Sequence, residues 1–175
     1  MSVEPIRLPA TATIPNSDWP LLLVKGAITQ EAARSAAVEQ RFQDHGWQGT
    51  WTYTVYDYWH YHVEGHEVLA CVSGTGKVGF GGEPEEGGRV LDLEVGDVVI
   101  LPAGVGHKRF EASSDFAVAG AYPPGQTGAI TRAGSMDLDE ARRRIAALSR
   151  PASDPIDGAE PGVLAHWADE HPERA

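Results

Sequence analysis

His60-Tyr61-His62-Val63-Glu64-Gly65-His66-Glu67, then six residues and Gly74, is the stretch on which the reading of this chain turns. His60 and His62 are two apart, so on a β-strand both imidazoles leave the same face and can share one metal ion. The four residues between His62 and Glu67 let the chain turn and bring a carboxylate back to that face. Further on come Gly96, five residues, Pro102-Ala103-Gly104, two residues and His107. A turn built on Pro and Gly delivers another imidazole at the start of a strand. Three His and one Glu form a borderline N/O donor set. It suits one divalent transition metal (Fe, Mn, Ni or Zn, with Cu also compatible) rather than Ca or Mg.

Outward from this stretch the pattern is that of short strands. From Trp51 to His62 the residues alternate with period two, and both faces are rich in β-formers, so one long strand covered on both sides is expected. On it Trp51, Tyr53, Trp59 and Tyr61 share the outward face, while Tyr56 and Tyr58 share the inward parity of His60. Further strands are expected at Glu67–Val72, Lys77–Phe80, Arg89–Leu93, Val98–Leu101, His107–Phe110 and Phe116–Ala121, each bounded by Gly, Pro, Asp or Ser. Consecutive short strands without intervening helices indicate an antiparallel two-sheet sandwich or barrel. Two helices flank them. Thr29–Asp44 has Thr29 as N-cap and a thin stripe of Ala33, Ala36, Ala37 and Phe42. Asp137–Leu148 has an Asp137/Glu140 capping pattern and a face of Leu138, Ala141, Ile145 and Leu148. Residues 1–20, with four prolines, read as an extended arm. The organisation expected is therefore an arm and helix over 1–47, a barrel over 48–123, and a helix and tail over 124–175.

Composition narrows the partners. The 175 residues carry 14 Lys+Arg and 25 Asp+Glu, a formal charge of −11. Such a field repels nucleic acid and anionic membrane surfaces, so neither is expected as a partner. A small anion stays compatible, because one metal reverses the field locally. The single cysteine, Cys71, excludes an internal disulfide or a multi-Cys zinc site. No apolar run approaches bilayer length. The first residues lack the basic and apolar regions of a secretory signal, so the protein reads as cytoplasmic.

The two ligand-bearing stretches resemble the two signature motifs of the cupin superfamily, G(x)5HxH(x)3–4E(x)6G and G(x)5PxG(x)2H(x)3N. His60, His62, Glu67 and Gly74 match the first, with Thr54 at its opening Gly position. Gly96, Pro102, Gly104 and His107 match the second, with Glu111 at its final Asn position. Neither departure touches a ligand. The first motif allows either His66 or Glu67 as third ligand; the six residues to Gly74 favour Glu67 and leave His66 at the mouth or behind the ligands. The segments IPNSDWPLLLVKGAI (14–28), FGG (80–82), GDVVILPAGVGHK (96–108), DFAVAGAYP (115–123) and DPIDG (154–158) with Trp167 are similar to small bacterial cupins of the YjlB type. The resemblance spans residues 14–167. It implies a single-domain all-β antiparallel jelly roll with a metal in the barrel mouth. It also implies precedents among dioxygenases, isomerases, epimerases and decarboxylases.

Tyr56, Tyr58, His66 and Arg109 are the expected substrate-pocket residues, Arg109 because it shares the parity of His107 and can pair with a carboxylate. Gly74-Thr75-Gly76-Lys77-Val78-Gly79 spells GxGxxG but opens no helix, and reads as a hairpin turn rather than a dinucleotide site. Cys71 reads as a small apolar core residue. Glu83, Glu85 and Glu86 read as a solvated hairpin loop, and Arg142–Arg144 as the charged end of a helix. The expectation is a metal-binding cupin, an enzyme of dioxygenase or isomerase type acting on a small oxygen-rich molecule. The competing class is a non-catalytic cupin that binds a small molecule or metal for sensing or storage. Val163, Leu164 and Trp167 have no partner nearby in sequence. With the outward aromatics, they suggest a two-fold homodimer in which arm and tail cross the neighbouring sheet.

Overall fold

The computed structural model describes residues 2–167. Among the described residues eleven strands form two sheets in which every pairing is antiparallel. The first sheet has the order β1 (Glu4–Leu8), β2 (Ser17–Val24), β8 (Val98–Leu101), β5 (Glu67–Ser73), β10 (Ala117–Tyr122), β3 (Gln48–Tyr53). The second has the order β11 (Thr131–Arg132), β4 (His60–Tyr61), β9 (His107–Ala112), β6 (Thr75–Phe80), β7 (Arg89–Glu94). The expected all-β jelly roll is the fold observed.

Alternation along the strands sorts two cores. Leu21, Leu23, Leu69, Cys71, Val99 and Leu101 point between the sheets and meet Val78, Phe80, Leu91 and Leu93. Their neighbours Leu22, Val24, Val68, Ala70, Val98 and Ile100 point the other way, onto Val38 and Phe42 of α1 (Ser35–Asp44) and onto Ile156, Leu164 and Trp167 of the tail. Within the first sheet β2, β5 and β8 are thus buried on both faces, which is why they read as near-continuous apolar runs. A third cluster sets Ala141 of α2 (Leu138–Ala146) against Ile14, Tyr61 and Val63. Asp137 caps α2, accepting from the Glu140 amide at 3.1 Å.

Several expectations need correction. The strand read over Trp51–His62 is two strands, because β3 lies in one sheet and β4 in the other; residues 54–59 make the crossing. Arg109 pins that crossing, donating its amide to the Tyr56 carbonyl (2.9 Å) and its guanidinium to Thr54 Oγ1 (2.9 Å) and the Val55 carbonyl (3.3 Å). Side-chain parity does not survive such a crossing. The arm supplies β1 and β2, so the sheets draw on residues 4–132, wider than the 48–123 read for the barrel. The first helix begins at Ser35; Thr29 instead closes a separate turn, accepting from Ala32 and Ala33. Gly74 is a sheet-to-sheet crossing rather than a hairpin turn, since β5 and β6 do not pair. The Glu83–Glu86 segment does lie in the β6–β7 hairpin.

The tail folds onto its own chain. The Trp167 indole stacks on Trp19 (centroids 5.3 Å, 6° between planes) and donates to the Pro20 carbonyl at 2.8 Å. Asp154 anchors the path, accepting from the amides of Ile156, Asp157 and Val163. Val163, Leu164 and Trp167 thus find their partners within the chain and need no second subunit to cover them. Residues 168–175 of the expected tail lie outside the described residues.

Candidate metal centre

His60 in β4 is the register partner of His107 in β9, and their rings lie 4.1 Å apart. His62 follows β4 by one residue and turns the same way. The three imidazoles each offer a ring nitrogen within 4.8 Å of the other two. Glu67 opens β5 on the facing sheet, and its Oε1 stands 3.3 Å from Nε2 of both His62 and His107. All four residues are at most 5% exposed.

The outer nitrogens are committed. Nδ1–H of His60 donates to the Tyr58 carbonyl (3.0 Å), that of His62 to the Ala129 carbonyl (3.0 Å), and that of His107 to the Val105 carbonyl (3.1 Å). A carbonyl only accepts, so each ring carries its proton on Nδ1 and turns Nε2 toward the shared centre. This is the orientation that outer partners impose on metal-binding histidines. Inside, Nε2 of His62 and Oε1 of Glu67 are buried without a hydrogen-bond partner of good geometry. Buried polar atoms are rarely left so, and a cation among them would satisfy both. The donors present fit a divalent transition metal.

Electrostatics agree. Burial lowers the His60 pKa to about 3, reinforced by His107 and His62, so this ring is neutral. For His62, burial is the largest single influence and opposes charge, but the Glu67 carboxylate beside it leaves the pKa raised. Burial likewise opposes charge on Glu67, and the two facing histidines outweigh it, so the carboxyl is held well below its ordinary range. Metal-free, the site sets the Glu67 carboxylate against His62, whose affinity for a proton it raises, beside a neutral His60.

His66 is not part of this group. It faces the opposite side of the first sheet, packed against the stacked pair of Trp19 (5.7 Å) and Trp167 (5.2 Å), and its Nδ1 accepts from the Ala103 amide at 2.8 Å. The cause is strand alternation: Glu67 points between the sheets, so its neighbour points out. Arg109 is spent on the 54–57 crossing, 4.0 Å from the Asp57 carboxylate. Tyr58 lies outside the cavity wall, stacked on Tyr56 (5.3 Å) with the Arg132 guanidinium 3.9 Å from its ring centroid. Of the expected pocket residues, Tyr56 lines the cavity.

That cavity is about 370 Å³ and opens from the four ligand-type residues outward between the sheets. Trp51, Tyr53, Leu69, Tyr122 and Ile130 line it as well. Outward parity had been read for Trp51 and Tyr53, and Tyr122 and Ile130 carried no sequence signal that singled them out. Trp51 Nε1–H donates to the Tyr122 hydroxyl at 2.8 Å, which leaves the phenol's own hydrogen for the neighbouring Glu67 carboxylate. Burial, with that carboxylate nearby, raises the Tyr122 pKa, so the phenol stays protonated. Two glycines make room: a Cβ on Gly120 would overlap the Trp51 indole, and one on Gly128 the Tyr122 hydroxyl. Cys71 is buried in the core, and burial pushes its thiol up to about 11, as expected of a packing residue rather than a nucleophile.

The geometry can be set beside known proteins. No family model matches the chain. The YjlB protein of Bacillus subtilis (strain 168), itself uncharacterized, is 36% identical over 160 residues, 91% of this chain and 93% of that protein. Among solved structures, an acireductone dioxygenase from Bacillus anthracis with cadmium in its active centre aligns at 14% identity, covering 63% of this chain and 82% of its own (TM-score 0.47). The QdtA 3,4-ketoisomerase from Thermoanaerobacterium thermosaccharolyticum, in complex with TDP, aligns at 21% identity, covering 56% and 75% (TM-score 0.43). Likenesses of that strength carry nothing about activity. Identity to YjlB across nearly the whole length does establish kinship, and the two antiparallel sheets carry both cupin motifs: the chain belongs to the YjlB-type cupins.

Proposed function

We propose that the protein is a metal-dependent cupin enzyme acting on a small oxygen-rich organic molecule, with His60, His62, Glu67 and His107 as ligands of one divalent metal. The observation that supports this most is the shared tautomer of the three histidines. Each is locked by a backbone carbonyl so that Nε2 faces the others and the Glu67 carboxylate. A bound Fe, Mn, Ni or Zn would supply Lewis-acid polarisation of a substrate oxygen or, for Fe and Mn, redox exchange with dioxygen. The chain's own residues do the rest. Glu67 contributes the one negative charge, Tyr122 holds that carboxylate through its hydroxyl, and the aromatic walls keep bulk water from the centre. Dioxygenase and isomerase chemistry both fit such a centre.

The reading takes the protein as cytoplasmic, in keeping with the free buried thiol of Cys71. A homodimer remains part of it. Light scattering giving twice the 18.8 kDa chain mass supports the dimer, and a mass near 18.8 kDa refutes it. Activity is tested by metal analysis of protein expressed without added metal, followed by product analysis and oxygen uptake on a panel of small acids, phenols and sugars. Metal-dependent turnover supports the enzyme. Stoichiometric ligand retention with no turnover by any metal form supports a binding protein instead.

A further inference from the structure

We propose that the cavity takes a planar, largely apolar molecule that presents two adjacent oxygen donors and carries a single negative charge, a chelate of the catechol, tropolone or hydroxyenone class. This rests on the metal-centre reading. Charge is the first argument. Three neutral histidines, one carboxylate and a divalent ion leave a net formal charge of +1, and among the described residues no Lys or Arg lines the cavity. The guanidinium groups on either side are engaged elsewhere: Arg109 on Thr54 and the Val55 carbonyl, Arg132 on the Tyr58 ring. A mono-anionic chelate neutralises the centre. A dianion such as oxalate, or a sugar phosphate, would leave excess negative charge in a poorly hydrated pocket with no cation to meet it.

The walls are the second argument. Four large apolar or aromatic side chains are exposed among the described residues, Tyr53, Tyr56, Val90 and Ile130, and three of them line this cavity. A soluble domain seldom gathers exposed apolar groups at one opening without something to cover them. Tyr53 and Tyr56 meet edge to face (6.1 Å), and Tyr56 in turn stands edge-on to His60 (5.8 Å), so an aromatic path runs from the mouth to the ligand cluster. A cavity of about 370 Å³ lies at the small end of the ~300–1,000 Å³ usual for ligand pockets, which suits one or two rings.

The test uses zinc-loaded full-length protein and two probes: tropolone, a planar mono-anionic oxygen chelator at pH 8, and oxalate. Calorimetry gives affinity, and elemental analysis after dialysis gives zinc content. The expected result is one tropolone per chain, zinc retained, and oxalate at least about 10-fold weaker. Tyr56→Ala and Ile130→Ala should each weaken tropolone about 3- to 10-fold, the size of an aromatic or apolar contact, with zinc content unchanged. Oxalate binding as tightly as tropolone, tropolone drawing zinc off the protein, or wall variants without effect overturns the proposal while the metal centre stands. Wild-type protein that holds no zinc overturns both.

Discussion

Oε1 of Glu67, on one sheet, stands 3.3 Å from Nε2 of His62, one residue past a strand of the other, and neither atom has a well-formed hydrogen bond. The contact joins the two layers on the wall of the cavity. It also raises the proton affinity of His62 at the position a metal would take.

Metal binding should therefore release protons. The His62 pKa is raised above 6.5 by Glu67, so at pH 7 part of the metal-free protein carries a proton that zinc must displace. Affinity should fall as pH drops, beginning above the ordinary histidine range. Zinc titrations in buffers of different ionisation enthalpy will show it as a heat proportional to the buffer's. Heats independent of buffer at pH 7 would contradict the raised proton affinity of His62.

His60 should set the acid side of stability. Its folded pKa is about 3 against about 6.5 unfolded, so the unfolded chain binds the extra proton below pH 6.5. The stability contributed by neutral His60 is complete above 6.5. It is lost as pH falls toward 3, at roughly 1.4 kcal/mol per pH unit and about 4–5 kcal/mol in all. His62, with its pKa raised, has the opposite sign: its contribution is full below 6.5 and fades as pH rises through the folded value. Urea unfolding of metal-free wild type and His60→Gln from pH 7.5 to 4.5 separates them, since the difference between the two curves should shrink with acid. A constant difference would mean that His60 is not held neutral.

Trp167→Ala should cost about 3–5 kcal/mol, the range for removing a large buried aromatic, because it loses the Trp19 stack and the bond to the Pro20 carbonyl. The metal should stay, since no ligand lies beyond His107. Urea unfolding with parallel metal analysis checks both. A loss below about 1 kcal/mol would mean that the tail is not part of the core.

Gly120→Ala should displace the Trp51 indole and break its bond to the Tyr122 hydroxyl, destabilising the protein by about 1–3 kcal/mol through overpacking. Tryptophan emission should shift relative to wild type. Unchanged emission and stability would show that the cavity wall is softer than its packing suggests.

The ligand-type residues were legible in the sequence because a metal site constrains both residue type and spacing. His60 and His62 share a strand face, and a carboxylate and a third imidazole recur at fixed offsets. The two sheets were legible from the strand periods. The cavity walls were not, for one reason: residues 54–59 cross between sheets, so the parity that served His60 and His62 gave the wrong side for Trp51 and Tyr53 and drew in Tyr58. Arg109 has the inward parity of its strand yet is captured by the same crossing, through Thr54 and the Val55 carbonyl. Tyr122 and Ile130 come from segments distant in sequence and meet the site only in the fold. The tail's apolar residues looked unpartnered because their partners, Trp19 and Leu22, lie more than 140 positions away on β2.

Metal content of purified variants tests the central claim most directly. Elemental analysis should find close to one transition-metal ion per wild-type chain, little in His62→Ala, a reduced amount in Glu67→Gln, and a full complement in folded His66→Ala. Stoichiometric metal in His62→Ala, or its loss from a folded His66→Ala, would contradict the assignment of His60, His62, Glu67 and His107.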